Sequence, residues 1–405
     1  MTKAIVVLQS LFCFNMFAQS YLHSAVQIIK EYNGEEPLAS FLKKYFNTHK
    51  KFGSRDRKNI THLCYCYFRL GKVLVSLEIG ERVLAALYLC NQVSNPILAL
   101  VKPQWNDSVS MAKKEKLTII QQDLPFDVAD IFPFQVDLSP EIDYLPFASS
   151  FLEQPDTYLR IRPGKVSLVQ NKLKKAEIPY SIISNYCLAV SPSTKLEAHL
   201  QINNDVVVQD VNSQKVLVPL VEYIKDTNKS IKAWDCCAAS GGKSILLKDT
   251  FPNSLITVSD IRESIIFNLR KRFKEAGISN FHWFVADVAN PQFTHNKLYD
   301  LVICDAPCSG SGTWGRTPEQ LYFFTEDKIN HYASLQKKIV LNASQYLKKG
   351  GLFLYITCSV FKEENEGVVE FIQQKSSLQI VSKHYFAGYQ QKADTLFAAL
   401  FVKQA

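Results

Sequence analysis

The chain has 405 residues, too many for one ordinary core, so two or three domains are the natural reading. Hydrophobic residues make up 47% and charged residues 21%, which excludes a disordered chain, and a net charge of +8 permits a polyanionic partner without requiring one. Ten cysteines are too few for a disulfide scaffold, and their placing (Cys64 and Cys66, adjacent Cys236 and Cys237) fits neither disulfide pairing nor paired CxxC zinc ligands. A reducing compartment follows, the cytoplasm, with no metal expected.

In chain order, Lys3 and the apolar run Ala4 to Ala18 resemble a signal peptide. The run is too short, and too interrupted by Gln9, Ser10 and Asn15, to span a bilayer, so no membrane is expected. Met16 is expected to be the true start, which leaves residues 1–20 outside the folded domains. From Tyr21 to about Gln122 apolar residues recur at helical spacing, as in Leu22, Ala25, Val26 and Ile29. This predicts an all-α domain over 21–145. Lys43, Lys44, Lys50, Lys51, Arg55, Arg57 and Lys58 crowd together in it, as either a solvated face or a phosphate-contacting patch. Pro125, Pro133 and Pro140 mark an irregular linker.

A small α/β (RRM-like) unit is expected over 146–222. Its strands are Thr157–Arg162, Tyr180–Ser184 and Cys187–Val190, and its helix is Val166–Ala176. Arg160, Arg162 and Lys165, read as exposed, would extend the basic surface. From 223 to 405 strand and helix alternate, with strands at Ile231–Asp235, Leu255–Asp260, Phe281–Asp287, Asp300–Cys304, Leu352–Thr357 and Thr395–Val402. That order predicts a doubly wound parallel sheet of Rossmann-like type.

The chemistry concentrates at strand ends. Asp235 to Lys243 (DCCAASGGK) is a strand end, a glycine turn and a helix start, where backbone amides can approach an anion. It lacks the P-loop spacing and the full dinucleotide fingerprint. Asp235, Asp260, Asp287 and Asp305 close four successive strands, an arrangement that suits S-adenosylmethionine: Asp260 for the ribose hydroxyls, Asp287 for the adenine edge. Lys243 either neutralises a carboxylate or caps the turn. Cys308 follows Asp305, and Cys358 ends the strand Leu352–Thr357, so both thiols should face one cleft. Glu364, Asn365 and Glu366 read as the start of the last long helix. Trp234, Trp283, Trp314, Cys187, Cys236 and Cys304 read as packing.

From Tyr158 onward the sequence resembles the RsmB/NOP/Sun family of RNA cytosine-5 methyltransferases. The resemblance rests on DCCAASGGK, VSD, VAD, DAPCSGSGTWGRTPE and TCSVFKEENE. It implies a class I methyltransferase domain in which Cys237, Ala238, Ala239, Ser240, Gly241, Gly242, Lys243, Asp260, Asp287 and Asp305 bind S-adenosylmethionine. It implies Cys358 as nucleophile and Cys308 as an assisting thiol. Protonation of ring nitrogen 3 of the target cytosine would drive thiolate addition, and Asp305 is the group expected there, besides any cofactor contact. The stretch Gly53 to Arg69 is similar to the family's NusB-like RNA-binding domain. Ser240 stands where the family usually has proline, and that departure should loosen the loop. The resemblance implies an RNA substrate, read as ribosomal before transfer RNA, and a monomer is expected. A DNA enzyme of this type would leave Cys358 without a role. The reading from another class is a ribosome-assembly factor that keeps the fold without the activity.

Overall fold

The computed structural model describes residues 18–404, which divide into two compact units. Unit 1 takes residues up to Gln135, then Asp143–Gln154 and Trp314–Phe324. It is helical: α1 (18–31), α2 (Leu38–Thr48), α3 (Ser54–Arg69), α4 (Ile79–Cys90), α5 (Pro96–Val101), α6 (Pro103–Asp107), α7 (Lys113–Asp123), α8 (Tyr144–Ser150) and α13 (Pro318–Phe323). Of residues 1–20, expected to lie outside the folded domains, 1–17 lie outside the described residues, whereas 18–20 form the start of α1. Lys43, Lys44, Lys50, Lys51, Arg55 and Lys58 are exposed on α2, α3 and the turn between them. Arg69, at the end of α3, is buried instead, and its guanidinium donates to the carbonyls of Phe151, Glu153 and Gly315 at 3.1, 2.9 and 3.0 Å. A buried cation is tolerable when such oxygens replace water. Glu319 of α13, also buried, accepts the Leu38 amide at 3.1 Å and so caps α2.

Unit 2 takes Val136–Ile142, Pro155–Thr313 and Thr325–Ala405. Its smaller sheet has the order β2-β3-β1-β4, from β1 (Thr157–Ile161), β2 (Ser181–Ser184), β3 (Cys187–Val190) and β4 (Val206–Val208), all antiparallel, with α9 (Val166–Lys175) against it. Here the structure corrects the expectation of an exposed basic surface. Arg160 is buried, bonds the Asp249 carboxylate and donates to Gln209 Oε1 at 2.7 Å. Arg162 reaches the same carboxylate at 2.9 Å and the carbonyls of Asn203 and Ala276 at 2.6 and 3.1 Å. Both arginines act as ties within the unit, and Asp249 supplies the countercharge that burial demands.

The larger sheet has the order β10-β11-β9-β8-β5-β6-β7. Its strands are β5 (Lys232–Asp235), β6 (Leu255–Asp260), β7 (Phe281–Val285), β8 (Tyr299–Asp305), β9 (Leu347–Thr357), β10 (Leu378–Phe386) and β11 (Leu396–Lys403). The five strands from β9 to β7 run parallel, while β11 and β10 add antiparallel, so the sheet is mixed where an all-parallel one was expected. Along β8 and β9 alternate residues enter two cores. Leu301, Ile303, Leu352, Leu354 and Ile356 face one, and Val302, Cys304, Phe353 and Tyr355 face the other. That double burial explains the near-continuous apolar runs. Helices α10 (Val218–Ile224), α11 (Gly242–Thr250) and α12 (Glu263–Glu275) feed the first core, and α14 (Asp327–Ser344) and α15 (Glu366–Lys375) the second. Strand β7 lies at the edge, which leaves Trp283 44% exposed beneath the Arg270 guanidinium, against the expectation of buried packing. Trp234 and Trp314 are fully buried.

Candidate active site

Strand order changes direction between β5 and β8, where neighbouring crossovers leave the sheet on opposite sides and open a crevice at the carboxyl ends. Asp235, Asp260 and Asp305 each occupy the last position of β5, β6 and β8, and Cys358 immediately follows β9. Asp287 lies two residues beyond β7, so that strand ends earlier than the sequence suggested. Asp287 is exposed and accepts the Ala289 amide at 2.9 Å.

The glycine turn takes its shape from two residues in the left-handed region, Ala239 at φ 45° and Gly241 at φ 80°. A Cβ on Gly241 would lie 2.6 Å from the Phe273 ring, so only glycine fits between the turn and α12. Asp260 Oδ2 accepts the Ala239 amide at 3.1 Å, and Asp260 Oδ1 accepts from the Arg262 backbone and side chain at 3.0 and 3.1 Å. Ser240 is held: Arg272 donates to its hydroxyl at 2.8 Å and its carbonyl at 3.2 Å. Where a proline would stiffen this position through its ring, Arg272 does so through hydrogen bonds. Asp235 is buried, and burial pushes its carboxyl up to about 7 against the opposing hydrogen bond from Ser244. Among the described residues, Asp235 Oδ1 finds no hydrogen-bond partner.

Lys243, the second residue of α11, pairs with Asp305 Oδ2 at 2.6 Å. Burial alone would lower its pKa, but the charge and hydrogen bond of Asp305, with Cys358 and Asp235 adding, hold the ammonium above its ordinary value. Beside this pair the two predicted thiols meet, with Cys308 Sγ and Cys358 Sγ 3.3 Å apart. The hydrogen bond to Cys358 and burial both push the Cys308 thiol well above its ordinary pKa, so Cys308 keeps its proton. Cys237 differs: hydrogen bonds from Cys236 and Cys304 pull it down to about 5 despite burial.

The loops carrying the two thiols are tied together by residues the sequence reading took for a helix start. Glu364 and Asn365 are fully buried ahead of α15. Glu364 accepts from the Ser309 amide at 2.9 Å, Gln336 Nε2 at 2.9 Å and the Ser359 hydroxyl at 2.7 Å. Asn365 accepts from the Thr357 hydroxyl at 2.5 Å and donates to the Ser359 carbonyl at 3.0 Å. Thus the immediate neighbours of Cys308 and Cys358 share one carboxylate. The available signal was a run of acids and an amide directly after a cysteine turn. A Cβ on Gly312 would sit 2.0 Å from the Thr395 carbonyl and 3.1 Å from that of Cys358, which explains glycine there.

The predicted cofactor residues fit an adenosyl-methionine group. The turn at 239–243 offers a helix amino terminus and a side chain-free approach at Gly242, whose nearest side-chain atom would lie 3.7 Å from an added Cβ. Asp260 presents a carboxylate at the adjacent strand end, and Asp287 lies open beyond it.

Residues 223–400 match the family model described as 16S rRNA methyltransferase RsmB/F. Ribosomal RNA small subunit methyltransferase B of Photorhabdus laumondii is 32% identical over 179 residues, 43% of this chain and 40% of that protein. The protein of the same description from Xanthomonas campestris is 29% identical over 268 residues, 61% of this chain and 60% of that one. The chain spans about half the length of the curated relatives it matches. In fold, the crystal structure of PH0851 aligns over 94% of this chain and 98% of that one, with a TM-score of 0.65 at 19% identity. Over residues 223–400, then, this chain is similar to the RsmB/F methyltransferases.

Proposed function

We propose that the protein transfers a methyl group from S-adenosylmethionine to carbon 5 of a cytosine in RNA, small-subunit ribosomal RNA first, through a covalent adduct on Cys358. The observation that carries this is the Cys308–Cys358 pair at 3.3 Å beside the Lys243–Asp305 ion pair. Carbon 5 of cytosine is a weak nucleophile. Addition of the Cys358 thiolate to carbon 6 makes it an enamine carbon, so one hard step becomes easier ones. The proton that ring nitrogen 3 gains during addition comes from the Lys243–Asp305 pair, with Asp305 facing the base. When bound, S-adenosylmethionine supplies the electrophilic methyl. Lys243, the amides of the 239–243 turn, Asp260 and Asp287 hold it.

Release requires loss of the carbon 5 proton to a base, water positioned by Cys308, and return of the nitrogen 3 proton to the Lys243–Asp305 pair. The carbon 6–sulfur bond then breaks. Cys308, which keeps its proton, donates its S–H to the departing Cys358 sulfur. The target base must be unstacked to reach these groups, as in a single-stranded RNA loop. The exposed basic residues of α2 and α3 support reading the helical unit as a NusB-like RNA-binding domain, and the β1–β4 sheet as an RRM-like unit. On this reading the protein acts as a monomer in the cytoplasm, the compartment in which S-adenosylmethionine and ribosomal RNA meet.

The test uses Cys308→Ala with small-subunit ribosomal RNA and S-adenosylmethionine. A protein–RNA band stable on a denaturing gel is expected, and it should vanish in Cys308→Ala/Cys358→Ala. Methyl transfer by Cys358→Ala at the wild-type rate refutes the adduct.

A further inference from the structure

A second group of thiols sits beneath the glycine turn. Cys236 and Cys237 follow β5, Cys304 lies on neighbouring β8, and their three sulfurs all fall within 4.8 Å of one another. The Cys236 and Cys237 sulfurs are 4.0 Å apart. An ion bonded to three thiolates at ~2.3 Å holds those sulfurs ~4 Å from each other, so little rearrangement separates this cluster from a trigonal site. A core cysteine acting as a small hydrophobe has no need of two others. Cys236 and Cys304 are fully buried, while Cys237 is partly exposed. Thiolate donors without imidazole or oxygen select soft ions.

We infer that Cys236, Cys237 and Cys304 bind a single thiophilic d10 cation of the zinc, cadmium or copper(I) class. Binding exchanges S–H protons for sulfur–metal bonds. The protons leave to solvent, and no electron changes hands. Because Cys237 heads the stretch 237–243 assigned to the cofactor, ion and S-adenosylmethionine exclude each other. This last step rests on the proposed function; the ion site itself does not.

The experiment titrates the reduced, metal-free full-length protein with Cd2+ and follows the ultraviolet thiolate-to-metal charge-transfer band. One ion per chain is expected, displaced by Zn2+. Cys304→Ala and Cys236→Ala should each weaken binding by more than the ~10–100-fold that losing an outer-shell partner costs. Cys308→Ala/Cys358→Ala should leave the band in place. No band in the wild type, or an undiminished band in both single variants, overturns the site. Circular dichroism of each variant separates lost ligation from lost fold. If either variant fails to fold, wild-type protein in which iodoacetamide has modified Cys237, located by mass spectrometry, must show no band. Excess S-adenosylmethionine should lower the apparent Cd2+ affinity. A band that is intact but indifferent to S-adenosylmethionine overturns the placing of the cofactor against Cys237, and leaves the ion site supported.

Discussion

Glu364 is the residue whose removal tests the architecture of the two-thiol site most directly. Its carboxylate is fully buried and accepts three hydrogen bonds, from the Ser309 amide, Gln336 Nε2 and the Ser359 hydroxyl. Burial raises its pKa, against the three hydrogen bonds that favour the anion. Glu364→Ala removes the acceptor and leaves those donors buried, each at ~1–3 kcal/mol and not fully additive, so ~3–6 kcal/mol of stability should go. Glu364→Gln keeps the shape and one acceptor oxygen for Ser309 and Gln336. The Ser359 hydroxyl can turn toward Ser311 Oγ, 3.3 Å away, so the amide variant should lose only ~1–2 kcal/mol. Activity should move more than stability does in the amide variant. Ser309 and Ser359 flank Cys308 and Cys358, and an ~1 Å misplacement of reacting groups costs ~100-fold in rate. Urea unfolding followed by circular dichroism gives the first quantity. Single-turnover methyl transfer to ribosomal RNA gives the second, with calorimetric S-adenosylmethionine affinity expected to stay unchanged. An alanine variant within twofold of the wild-type rate, and within ~1 kcal/mol of its stability, would refute the reasoning.

Two further changes probe the cofactor side. Asp235 has a folded-state pKa of about 7 against 3.8 unfolded, raised chiefly by burial, so the native state binds its proton more tightly. The stability this provides is complete below about pH 4 and lost as pH rises through about 7, up to ~4 kcal/mol in all. Asp235→Asn should abolish that decline in the urea midpoint between pH 5 and 7, and a parallel decline in both proteins would count against the assignment. Arg272→Ala should free Ser240 and weaken S-adenosylmethionine binding ~5–30-fold, for the ~1–2 kcal/mol of two lost hydrogen bonds. Unchanged affinity by calorimetry would mean that Arg272 does not hold the turn.

How far the sequence could be read follows from where the physics is local. Strands buried on both faces appear as apolar runs, and an acid or thiol at the end of such a run can be placed at the crevice without knowing the neighbours. That is why Asp235, Asp260, Asp305, Cys308 and Cys358 were legible by position. Strand β10 was not: its residues from Leu378 to Phe386 are largely half-exposed, so no apolar run marks it, and the antiparallel edge of the sheet went unseen. The assignment of Trp314–Phe324 to the helical unit was equally hidden, because nothing local marks a segment whose Glu319 caps a helix starting at Leu38.

The charged residues make the limit plainest. Arg160 and Arg162 look like surface, and the net charge of +8 encourages that reading. Asp249 reverses it from 89 residues away along the chain, and no composition or spacing rule anticipates such a partner. Glu364 fails in the same way at short range. A carboxylate at a helix start normally serves the helix dipole, and only the folded turns of Ser309 and Ser359 recruit it to hold two thiols together. A residue type at a strand end announces its chemistry, whereas a charge announces only that it needs a partner. In this protein that need decides which ionisable groups gather at the crevice and which hold the scaffold. Lys243, at the start of α11, meets Asp305 at the crevice, while Arg160 and Arg162 spend their charge on Asp249 within the scaffold.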